Sequence, residues 1–136
     1  MTLQERLAVV LSEILPTQEE SDGAVTVHHE ETFASLRVVT IGEGLDMVSL
    51  NQIIGWDLPV DSKLRTKVTK AASDTVLGTV LLVEKSADAK RGTKKSGDVL
   101  LRYNFPASGL TDDALRTLIL MVLATGADVR RALVDA

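Results

Sequence analysis

The chain has 136 residues, the length of one domain able to bury a real core, and its 45% apolar and 25% charged residues exclude general disorder. Cysteine is absent, which rules out disulfides, thiol nucleophiles and cysteine-ligated zinc. A net charge of −4 with only 3% aromatic residues argues against a broad nucleic-acid surface.

In chain order, Thr2 and Glu5 read as a capping box, and Leu3, Leu7, Val10, Leu11 and Ile14 follow on one helical stripe. Glu5, Arg6 and Glu13 interrupt the apolar character that a signal peptide requires, and Pro16 ends the helix. The acidic TQEESDG at 17–23 reads as a loop. Three strands are expected next, at 24–29 (AVTVHH), 33–41 (FASLRVVTI) and 45–54 (LDMVSLNQII), and the short links, GEG among them, imply an antiparallel meander. GWDLPVD breaks the pattern around Gly55 and Pro59.

A second helix is expected over about 62–75, with Asp61 as its N-cap and Leu64, Val68, Ala71 and Ala72 as its apolar stripe. Strands at 78–85 and 98–105 flank a polar, basic loop at 86–97. The final helix is signed by Thr111 as N-cap, by Asp112 and Asp113 in the first turn, and by a Leu110–Leu115 staple. Its run from Leu118 to Ala124 is far short of the ~20 residues that span a bilayer, so a cytoplasmic chain without a membrane partner is expected.

That helix is apolar on almost every side. Leu115, Leu118, Ile119, Val122 and Val129 form one stripe, while Leu120, Met121, Leu123 and Ala124 cover much of the rest. A helix of this kind is buried on more than one side, by neighbouring elements or by a second copy of the chain. Leu120, Met121 and Leu123 are the expected contacts if a second copy is the answer.

Few residues suggest chemistry. His28, His29, Glu30 and Glu31 could in principle ligate a divalent metal, but consecutive strand residues face opposite ways, so a solvated strand end is the plainer reading. Lys85, Lys90, Arg91, Lys94 and Lys95 form a basic cluster without aromatic residues to stack bases, which fits a solvated loop better than a nucleic-acid site. No GxSxG is present, and the GEG at 42–44 joins two strands, so it is a turn rather than a phosphate loop. Trp56 fits either an exposed contact or a core anchor, the latter being expected.

The helix LQERLAVVLSEIL, the strand DVLLRYNFPASGL and the capped helix TDDALRTLILMVLATGADVRRAL, set in an α-β-β-β-α-β-β-α order, resemble the YbjN-type proteins of the type III secretion chaperone-like fold. The resemblance implies an α+β fold with a mainly antiparallel five-stranded sheet packed by helices, as a single domain over 1–136. It also implies a bacterial cytoplasmic homodimer without cofactor or catalytic residue, binding a protein or peptide segment through apolar surfaces of its first helix and sheet. Leu7, Leu11, Val48 and Leu50 are the expected contacts on those surfaces. The alternative is a small metal- or ligand-binding protein or enzyme built on His28 and His29 with nearby carboxylates.

Overall fold

The computed structural model describes residues 1–85 and 95–134. Helix α1 (Leu3–Ser12) starts at the capping box, with Thr2 and Glu5 bonded reciprocally. It stops well before Pro16, so Ile14 packs only partly, beyond the helix end. The chain then forms β1 (Thr17–Glu19), β2 (Val25–His29), β3 (Thr32–Gly42), β4 (Leu45–Pro59), α2 (Ser62–Asp74), β5 (Thr79–Lys85), β6 (Ser96–Pro106) and α3 (Asp112–Val134).

Among the described residues the sheet has six strands in the order β1-β2-β3-β4-β6-β5, and every neighbouring pair is antiparallel. The sixth strand corrects the expected five. It lies in the stretch read as a loop, where Gln18 pairs with Thr26 and Gly23, at φ +89°, completes the turn back into β2. Three polar residues are too few to show an alternation, so only the pairing reveals this strand.

Strand alternation divides the sheet into two faces. Val25, Val27, Ala34, Leu36, Val48, Leu50, Ile54, Val99 and Leu101 point to one face and are buried. They share one core with Leu3, Leu7 and Leu11 of α1, Leu64 and Val68 of α2, and Leu115, Ile119, Val122 and Leu123 of α3. Residues of opposite parity, among them Phe33, Arg37, Val39 and Arg102, remain exposed. The helices therefore cover one face and leave the other open.

Helix α3 is the central piece of the covered face. Thr111 caps it by accepting from the Ala114 N–H at 3.1 Å. Arg6 ties α1 to its start, donating to Asp112 at 2.8 Å and to the Leu110 carbonyl. Arg116 ties the other end of α1, reaching Glu13 at 3.1 Å. Gln52 of β4 is fully buried beneath α3 and donates to the Leu123 carbonyl at 3.1 Å and to the Thr32 hydroxyl at 2.9 Å.

Strand β4 does not end at Gly55 as the GWDLPVD pattern implies. It continues to Pro59 by taking up extra residues against β6, with shifts between Ile53 and Gly55 and between Gly55 and Leu58. Asp57, at φ +53°, adopts the left-handed conformation within this stretch. Each extra residue is a bulge, and each reverses the side to which the following side chains point.

Candidate functional site: the open face of the sheet

The first bulge decides where Trp56 goes. Continuing the parity of Val48, Leu50, Gln52 and Ile54 would turn Trp56 into the core. Because Ile54 is an extra residue, Ile53 pairs with Leu100 and Gly55 with Val99, and Trp56 comes out on the open side, 50% exposed. The expected core anchor is thus a surface residue. Its ring lies 6.2 Å from that of Phe33, and the Arg130 guanidinium sits 5.7 Å above it, a cation–π distance. Arg130 is held there by its bond to the Ile54 carbonyl at 2.7 Å, so a residue of α3 steadies the aromatic pair from beyond the sheet.

The strand registers extend this pair into a band. His28 is opposite Phe33, Phe33 opposite Ile53, Ile53 opposite Leu100, and Leu100 opposite Leu81. Five strands thus contribute one residue each to a single transverse row on the open face. At ~4.8 Å between strands the row runs about 19 Å. Phe33 is 39% exposed, Ile53, Leu100 and Leu81 are half-buried by one another, and the His28 ring lies 6.3 Å from Phe33. The neighbouring row is polar, made of Thr26, Ser35, Asn51, Arg102 and Thr79, and there Arg102 donates to Asn51 at 3.0 Å. On the other flank, Lys85 bridges Asp57 at 2.6 Å and Asp98 at 3.1 Å. Burial opposes the charge of Asp98, but the Asp57 N–H and Lys85 outweigh it and hold the carboxyl below its usual range. An apolar strip with polar borders can grip aliphatic side chains and fix their position.

The residues singled out in the sequence fall elsewhere. Leu7, Leu11, Val48 and Leu50 are all fully buried, so none of them presents a docking surface. The reason is parity. Val48 and Leu50 point under the helices, while Ile53 and Met47 of the same strand look outward. On α3, Leu123 is fully buried and Leu120 half-buried, whereas Met121 is 53% exposed. Met121 lines a groove of about 620 Å³ between α2 and α3, together with Ala71, Val76, Leu77 and Thr125. The second burial of α3 is therefore largely internal, by the sheet below and by α1 and α2 beside it.

His28 and His29 are not brought together. His28 lies against Phe33 on the open face, while His29 Nε2 stands 4.0 Å from Glu30. Glu30 and Glu31 are claimed by α3, through Arg131 at 3.0 Å and Arg130 at 3.4 Å, so the HHEE stretch latches the β2–β3 turn to the last helix. Among the described residues, no group of three or more His, Asp or Glu is placed to hold one metal ion. Of the basic cluster, Lys90, Arg91 and Lys94 lie outside the described residues, and Lys85 is engaged by its two aspartates. No helix among the described residues is long and apolar enough to cross a membrane.

No family model matches the chain, and neither does any curated protein. The crystal structure of YbjN from E. coli, described as a candidate transcription regulator, is similar in fold. It superposes with a TM-score of 0.56 over 93% of this chain and 87% of that one, at 10% sequence identity. The YbjN-type α+β fold read from the sequence is thereby shown, with six strands in its sheet.

Proposed function

We propose that the chain is a non-enzymatic, chaperone-like protein-binding domain, a single domain over 1–136 acting as a homodimer in the bacterial cytoplasm. Its open sheet face takes an extended apolar segment of another protein. The observation that carries this reading is the transverse row from His28 to Leu81, with Trp56 beside it. Antiparallel sheets commonly solvate one face with polar residues, and here the five-strand cross-section from His28 to Leu81 is largely apolar instead. A row of about 19 Å matches roughly six residues of extended chain. A regulator that works by holding a protein segment would agree with the description of the structural neighbour.

The charges near the row favour protein over nucleic acid. Arg37 is paired with Asp22 at 3.0 Å, Lys85 with two aspartates and Arg130 with Glu31. Phosphate binding draws on unpaired cations; these three are paired with carboxylates, which leaves Arg102, bonded to the neutral Asn51 amide, beside the row.

Selection of displayed peptides on the immobilised chain tests the reading. Enriched sequences should alternate apolar and polar residues. They should bind the Ile53→Thr and Leu100→Thr variants at least tenfold more weakly, and bind Val76→Asp, in the α2–α3 groove, unchanged. Peptides that lose affinity only with Val76→Asp would move the site to the groove and refute the open face.

A further inference from the structure

The two edges of the sheet are unlike. At one edge, β1 is three residues long and polar, TQE, a form that resists further pairing. At the other, β5 offers seven residues, TVLLVEK, with no proline, and its register against β6 shows no bulge. An edge strand usually carries charges or irregularities that discourage pairing with another chain. The two charges of β5 are withdrawn from that task. Lys85 is tied to Asp57 and Asp98 on the open face, and Glu84 to Arg65 of α2. Val83 beside them is 47% exposed.

We infer that β5 pairs antiparallel with β5 of a second copy, about a twofold axis at Leu82, joining the two sheets into one. This rests on the homodimer proposed above and says where its interface lies. The strand is complementary to itself in that register. Leu81 faces the partner's Val83 on the open side, Val80 faces the partner's Glu84 on the helix side, and Thr79 faces the partner's Lys85. No like charges oppose one another. Both faces match, since Val80 and Leu82 pair with the inward Leu101 and Val99, while Leu81 and Val83 pair with the outward Leu100 and Asp98. The two copies bring Leu81 and Val83 into one aliphatic cluster across the seam, continuous with the apolar row at Leu100. A twofold contact requires a patch that fits itself, which this strand provides.

The absence of cysteine allows a direct test. In Leu82→Cys the only thiols of a dimer lie directly opposite each other, at the ~4.5–5.5 Å Cα separation of an antiparallel pair, within disulfide reach. Mild oxidation at micromolar concentration should convert most of this variant to covalent dimer, while Val80→Cys, opposite Glu84, stays mainly uncrosslinked. Light scattering should find the Leu81→Lys/Val83→Lys variant monomeric, because lysine then opposes lysine. The Leu81→Lys/Val83→Glu variant should be dimeric again, because lysine then opposes glutamate. Far-ultraviolet circular dichroism verifies that each variant is folded. If the wild-type chain dimerises but Leu82→Cys does not crosslink and the double-lysine variant stays dimeric, the β5 seam is refuted and the homodimer stands on another surface. If the wild-type chain is monomeric at every concentration, the homodimer itself is refuted.

Discussion

Gln52 is a fully buried amide whose two N–H groups are used and whose Oε1 atom has no hydrogen-bond partner. Above it α3 carries Gly126, and a Cβ added there would stand 1.9 Å from that oxygen. The glycine is required by the glutamine, and the pair fixes where α3 lies on the sheet. Gly126→Ala should cost ~3 kcal/mol, seen as a lower urea midpoint, because a close-packed core absorbs an added methyl poorly. Shortening the partner in Gln52→Ala/Gly126→Ala should make the double variant less unstable than the sum of its parts. The pairing was not legible in the sequence, since a polar residue in a strand reads as solvent-facing and a helical glycine shows nothing of what passes beneath it.

Asp98 gives a prediction with a definite sign. Its carboxyl titrates below the unfolded value of about 4, so the stability it contributes is fully present above that pH and is lost as pH falls through its lowered value. Asp98→Asn removes the titration. Its unfolding free energy should change less between pH 5 and pH 2 than that of the wild-type chain, measured by urea unfolding across that range.

The individual elements were largely written in the sequence, because their ends carry local chemistry. Thr2, Asp61 and Thr111 cap α1, α2 and α3 as their spacing implied. Asp61→Ala should cost ~1 kcal/mol and lower the Tm, since the Leu64 N–H loses its acceptor at 2.8 Å. What lies between caps was harder to read. Glycine and proline usually end a strand, which implies an end for β4 at Ile54, yet bulges carry it on to Pro59. The same bulge turned Trp56 outward, an outcome that propensity cannot express. Iodide and acrylamide should both quench Trp56 emission strongly, whereas a core indole would be shielded from iodide. The row itself had a signal that strict alternation hid. The doublets Ile53–Ile54, Leu81–Leu82 and Leu100–Leu101 mark strands apolar on both faces, and their outward members are three of its five residues.

For the molecule as a whole, the order of elements was enough to indicate a YbjN-type fold, and the helix-covered face follows from it. The most apolar residues, Leu7, Leu11, Val48 and Leu50 among them, form the core. A core is chosen for exclusion from water, so the residues left to meet a partner are the apolar ones on the parity that solvent should own. Phe33, Ile53, Leu100 and Leu81 satisfy that condition in one line, and the edge strand β5, proposed above as the dimer seam, lies at its end.

The most direct measurement uses Trp56, the only tryptophan in the chain, which stands beside this line. A peptide selected on the chain is titrated into the wild-type protein and into Leu100→Thr while Trp56 emission is followed. A saturable blue shift in the wild type, displaced at least tenfold to higher peptide concentration in Leu100→Thr, is the predicted result. Binding that leaves Trp56 emission unmoved and is equally tight in Leu100→Thr would contradict the open face as the binding surface.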